Sequence, residues 1–118
     1  MEGTSRVSVW LGSFDNEEQL NAYVEEQFDE EGNVSSAFMR DFGIDFIDSQ
    51  FQEVLFSREL KRDDIAPASY SESFLDEIAV DFSRYNSLIL LYNFSYDKTV
   101  DRVGRLAFIG VYDYTIGE

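Results

Sequence analysis

Residues 7–31 read VSVWLGSFDNEEQLNAYVEEQFDEE, and the way this stretch divides decides the fold. From Arg6 to Phe14 the side chains alternate, with Val7, Val9 and Leu11 on one side and Ser8 and Trp10 on the other. Trp10 puts bulk on the second side, which suits a strand well inside a sheet better than one at a wet edge. Gly12 and Ser13 break the run. Asp15 is then the expected N-cap of a helix, with Glu18 three positions on completing a capping-box pair. Glu17 and Glu18 would sit at the positive end of the helix dipole, where carboxylates stabilise. Leu20, Tyr23, Val24 and Phe28 follow the i, i+3, i+4, i+8 spacing of a core-facing stripe, so the helix is expected to run to about Asp29. Glu18, Asn21, Glu25 and Glu26 lie off that stripe. The run Asp29 to Asn33, DEEGN, is turn chemistry.

Working outward, a chain of 118 residues suggests one domain over 1–118. A content of 44% hydrophobic and 16% aromatic residues separates it from disordered acidic tails, so it should fold around a real core. The net charge is −15, from 24 acids against 9 bases. Residues 1–50 hold 12 acids and 2 bases, a net of −10, whereas residues 51–118 hold 12 acids and 7 bases, a net of −5. The N-terminal half is therefore the charged one. Such a field disfavours nucleic acid and anionic membranes and attracts basic partners, although solubility alone would also account for it.

The chain contains neither Cys nor His. Disulfides and thiolate zinc sites are thereby excluded, and the commonest general base and transition-metal ligand are missing. The N-terminal MEGTSRVSVWLGSF lacks a basic segment followed by an apolar run, and no apolar stretch approaches the ~20 residues of a membrane span. A cytoplasmic location is the expectation.

Further along, Ser35 or Ser36 can cap a short helix through Phe42, with Gly43 as its stop. Residues 44–56 read either as a short strand and a helical turn capped by Asp48 or as two short strands. Arg58 to Ala68 holds a positive cluster and Pro67, and reads as a surface connection. Ser69 with Glu72 repeats the capping spacing, and Leu75, Ile78, Ala79 and Phe82 predict a second main helix closing near Asn86. Ser87–Tyr96 and Arg105–Thr115 are apolar and aromatic enough for two strands, joined by DKTVDRVG into a β-hairpin. The expected fold is α+β: a mostly antiparallel sheet, made of the N-terminal strand and the C-terminal hairpin, covered by two main amphipathic helices.

Carboxylate pairs abound in so acidic a chain and therefore single out no hydrolase. No nucleophile–base motif or phosphate loop is present, and DEEGN lacks the alternating oxygen ligands of a calcium loop. No cofactor or metal is expected. If helices cover one sheet face only, Tyr92, Tyr96, Tyr112 and Tyr114 would serve as interface anchors. The stronger candidate is the acidic helix. From Asp15 to Glu31 there are eight carboxylates and no Lys or Arg. Without basic residues at i+4 these acids repel one another, a pattern better explained by docking a basic partner than by folding. The candidate contact residues are Asp15, Glu17, Glu18, Glu25, Glu26, Asp29, Glu30 and Glu31, with Asp41, Asp45 and Asp48 as a second group. Asp41, Asp45 and Asp48 would gather a hard cation only if their segment curls.

The ordered set VSVWLGSF, EEQLNAYVEEQFDEEGN, SSAFMRDFGIDFIDSQF, YSESFLDEI, YNSLILLYNFSYD and LAFIGVYDY resembles the immunity protein 22 family of bacterial polymorphic-toxin systems. The resemblance runs from about Val7 to Tyr114, and Trp10, Gly12, Asp41, Phe42, Gly43 and Phe51 are its motif positions. It implies a non-enzymatic cytoplasmic protein that binds and neutralises a cognate toxin domain. Toxins of such systems are often nucleases with basic clefts, which an acidic protein would occlude stoichiometrically. The rival readings are an acidic adaptor for a basic partner unrelated to toxins and, behind it, a carboxylate-only hydrolase or metal-binding domain.

Overall fold

The computed structural model describes residues 4–44, 52–65, 74–78, 80–92, 94, 96, 100–104 and 106–115. Strand β1 (Thr4–Gly12) leads into helix α1 (Glu17–Val24), and two two-residue strands, β2 (Gln27–Phe28) and β3 (Val34–Ser35), lead on to α2 (Ala37–Phe42). There follow β4 (Gln52–Phe56), a single turn α3 (Arg62–Ile65), two 3-10 turns (Leu75–Glu77 and Phe82–Arg84), β5 (Ser87–Tyr92), β6 (Arg102–Val103) and β7 (Leu106–Thr115). Five strands form one antiparallel sheet in the order β4-β5-β1-β7-β6, and β2 and β3 form a separate hairpin. The α+β class and the antiparallel sheet match the sequence reading.

The expected C-terminal hairpin does not form. β1 lies between β5 and β7, so Val7 faces Tyr92 on one side and Tyr112 on the other. The reason is apolar content: β1 is bulky on both faces and belongs at the centre. The 13 residues between β5 and β7 are enough to carry the chain past it. β5 is buried along all six residues, which is why it reads as a continuous apolar run without alternation.

Both sheet faces are covered. Val7, Val9, Leu11, Leu88 and Leu90 pack with Leu60, Ile65, Phe74, Leu75, Ile78 and Phe82. On the opposite face Trp10, Ile89, Leu91 and Leu106 pack with Leu20 of α1 and with Phe38, Met39 and Phe42 of α2. Residues 58–65, expected as a surface connection, thus send Leu60 and Ile65 into the first core. Tyr92, Tyr96 and Tyr114 are core residues too, at 5%, 5% and 3% exposure, and Tyr112 is half-buried. With two faces covered, none of the three buried tyrosines is an interface anchor. The buried hydroxyl of Ser8 in β1 is satisfied: its Oγ donates to the Phe94 carbonyl (2.7 Å) and accepts from the Tyr96 amide (3.0 Å).

β7 serves both cores through a bulge. Val9 pairs with Gly110 but Trp10 pairs with Phe108, which leaves Ile109 as the extra residue. The extra residue shifts the alternation, so Leu106 and Phe108 join the Trp10 side while Tyr112 and Tyr114 join the other.

Among the described residues the second main helix does not form from Leu75 to Asn86 either. Ile78 and Asp81 have extended backbone between the two 3-10 turns. Asp81 accepts from both the amide (3.1 Å) and the hydroxyl (2.6 Å) of Ser83, which restarts the chain in a new turn and competes with helix continuation. The Ser69–Glu72 pair, Ala79 and the turn capped by Asp48 lie outside the described residues. Of the two readings of 44–56, the strand β4 at its end fits two short strands and not a strand followed by a helical turn.

Candidate functional site

The acidic segment is built on a short, well-capped scaffold. Asn86 fixes its entry: the side-chain amide donates to the Phe14 carbonyl (2.7 Å) while its oxygen accepts from the Phe14 amide (2.9 Å). The N-cap of α1 is Asn16, not the expected Asp15, and its side chain accepts from the Gln19 amide at 2.8 Å. Gln19 returns the interaction, its Oε1 accepting from the Asp15 amide at 3.2 Å. Asn16 and Gln19 thus take the places expected of Asp15 and Glu18, with Gln19 reaching the amide one residue before the N-cap. Glu17 and Glu18 fill the first turn as expected.

α1 stops at Val24, five residues before the expected end, with Glu25 extended as its C-cap. Glu25 and Glu26 would otherwise crowd the negative end of the helix dipole, where no basic residue offsets them. Leu20 is buried, and Tyr23 and Val24 pack against the core. Phe28 does not complete the stripe; it is 71% exposed on β2.

The β2–β3 hairpin closes through Asp29. One carboxylate oxygen accepts from the Glu31 amide (2.8 Å) and the Asn33 amide (2.9 Å), and the other accepts from the Asn33 side chain (3.2 Å). Backbone bonds link Asp29 N to Asn33 O and Gly32 N to Asp29 O, both at 3.0 Å. Gly32 takes a left-handed φ of 85°, a conformation open to glycine at little cost. The amide of Asn33, then its side chain, hold the Asp29 carboxyl below the usual carboxylate range.

α2 is capped by Ser36 Oγ, one of the two serines the sequence offers, on the Met39 amide (3.1 Å) and closed by Gly43 at φ 69°, the stop the sequence predicts. It brings Asp41 to α1, where the Tyr23 hydroxyl donates to Asp41 Oδ2 at 2.8 Å. Burial, followed by this bond and the carboxylate charge, pushes the Tyr23 phenol up, so it stays a neutral donor. Phe14, Asp15, Gln19, Tyr23, Asp41 and Leu106 line an open cleft of about 310 Å³ beside it.

The structure therefore gathers Asp15 and Asp41 at the cleft, sets Glu17 and Glu18 on the first turn of α1, and places Glu25 and Glu26 at its end. Asp29, Glu30 and Glu31 form the hairpin tip. Of these, Glu26 is half-buried and the rest are exposed. Asp45, Asp48 and the motif residue Phe51 lie outside the described residues. Arg40 is the only base between Val7 and Ser57, and its Nη1 donates to Ser35 Oγ at 3.0 Å. Among the described residues no group of three or more Asp or Glu side chains is disposed to hold a metal ion, and no helix is long and apolar enough to cross a membrane. Of the motif residues, Trp10 and Phe42 are buried in the core beneath the site. Gly43 is the α2 stop.

Sequence reasoning missed Phe28 as a surface residue and Asn86 as the clamp. The signal for Phe28 was local: an aromatic flanked by Glu25, Glu26, Asp29, Glu30 and Glu31 sits where a helix would have to place carboxylates at its own negative end. Asn86 gave no signal, because its partner Phe14 is 72 positions away.

Such a surface has the makings of a binding domain: exposed carboxylates, Asp29 and Asp41 held by hydrogen bonds, on a core packed on both sheet faces. The chain belongs to the immunity protein 22 family, whose model matches residues 7–115. Immunity proteins neutralise toxins by binding them, and the family is generally non-enzymatic. No curated protein and no solved structure matches the chain.

Proposed function

We propose that this protein acts in the bacterial cytoplasm, in a polymorphic-toxin system, and neutralises a cognate nuclease-type toxin domain by stoichiometric occlusion. The docking face comprises α1, the β2–β3 hairpin and the Asp41 edge of α2. The observation that carries the reading is the exposure of Asp15, Glu17, Glu18, Glu25, Asp29, Glu30, Glu31 and Asp41 on contiguous elements with only Arg40 among them. A nuclease cleft is lined with Lys and Arg to neutralise phosphates. Carboxylates presented on a preformed surface attract the same groups, accelerate encounter and fix orientation.

The test is the double reversal Glu25→Lys with Glu26→Lys, measured against the toxin domain encoded beside this chain's gene. Association should slow by about tenfold or more at low salt, and the dependence of its rate on ionic strength should flatten. Unchanged rates with an unchanged salt slope would remove the acidic face from the interface. Rescue of cell growth on co-expression checks the neutralisation itself.

A further inference from the structure

Among the described residues Phe28 is the exposed large apolar side chain, and nothing in the fold requires it there. Its backbone pairs with Val34, a role open to any residue, while its ring stands 71% in water. A lone exposed leucine or valine on a broad surface needs no explanation. An aromatic on a hairpin closed by backbone and Asp29 side-chain bonds is a different case. The Asp29 carboxylate ties three donors across the turn, so the backbone that carries Phe28 is set before any partner arrives. Little conformational freedom is left to lose on docking. Glu25 and Glu26 precede it, and Asp29, Glu30 and Glu31 follow.

We infer that Phe28 is the anchor of the toxin interface, seating in an apolar pocket on the toxin whose rim carries Lys and Arg. The inference rests on the toxin-neutralising reading and names the part of the surface that supplies most of the affinity. Aromatic anchors ringed by polar groups are the usual form of a binding hot spot, the rim excluding water and setting partner choice. The charge selects the occupant. A second copy of this chain would bring five carboxylates against five about a two-fold axis, whereas a basic rim pairs with them.

The experiment measures binding of the same co-encoded toxin domain to the wild-type chain, Phe28→Ala, Phe28→Trp and Glu30→Lys/Glu31→Lys, with melting temperature and sedimentation of each free protein. Phe28→Ala should weaken binding by about 30-fold, mainly through faster dissociation, with its melting temperature and the salt slope unchanged. Phe28→Trp should retain binding, and the double reversal should flatten the salt slope. Binding of Phe28→Ala within about threefold of wild type would overturn the anchor while leaving the immunity reading intact. So would a wild-type dimer that Phe28→Ala dissociates without loss of toxin binding. A wild-type chain that does not bind the toxin domain overturns the immunity reading and the anchor together.

Discussion

Trp10 joins the centre of the sheet to the helices that present the acidic face. It is fully buried and meets Phe38 edge-on at 4.9 Å, Phe42 at 5.8 Å, Tyr96 at 5.4 Å and Phe108 at 5.1 Å. Trp10→Ala should therefore lower unfolding free energy by about 3–5 kcal/mol in denaturant titration, the range for emptying a large aromatic site. Its Nε1–H finds no acceptor among the described residues. A buried unpaired donor costs about 1–3 kcal/mol, so Trp10→Phe, which removes the donor and keeps a ring, should cost far less than Trp10→Ala. At the site itself, Tyr23 binds its proton more tightly folded than unfolded. Its contribution is therefore complete below the ordinary tyrosine value of about 10 and declines as pH rises beyond it. Tyr23→Phe should show a shallower alkaline loss of stability than wild type in melting curves recorded from about pH 8 to 11. At neutral pH the variant should be weaker by about 1 kcal/mol for the lost bond to Asp41.

Among the elements, the β2–β3 hairpin depends on one ionised carboxylate. The folded Asp29 value lies below the ordinary one of about 3.9, so its stabilisation of the turn is present above that pH and lost as pH falls through the lowered value. Amide signals of Glu31 and Asn33 should move towards random-coil positions in that acidic window before the β1 and β5 amides do. Asp29→Ala should give the same local change at neutral pH without global unfolding, read by hydrogen exchange. The sequence made α2 legible apart from the choice between Ser35 and Ser36 as its cap, because a capping serine and Gly43 are local signals with local effects. It made α1 legible only at its start: the apolar spacing continued to Phe28, but the acids after Val24 made the helix end unfavourable. The expected helix through Leu75 and Phe82 failed for a similar reason, since Asp81 bonds to Ser83 more favourably than a helix interior allows. Apolar periodicity alone carries no information about such side-chain-to-backbone competition.

For the molecule as a whole, a net charge of −15 on 118 residues means that folding concentrates like charges. Raising sodium chloride from about 20 mM to 500 mM should increase the melting temperature, since screening weakens the repulsion of the excess acids more than it weakens exposed pairs such as Arg6–Asp113. A fall or no change would show that the acids are compensated within the fold. What the sequence by itself determined was class and charge: the two-sided bulk of β1 and the apolar run of β5 required a covered sheet, and the absence of bases from Asp15 to Glu31 required an acidic surface. Tertiary structure decided strand order, because pairing β1 between β5 and β7 depends on which neighbours cover both its faces. It also decided that Asp15 and Asp41 share a cleft. Those outcomes turn on contacts between segments far apart in the chain, such as Phe14 with Asn86, and local residue patterns do not encode them.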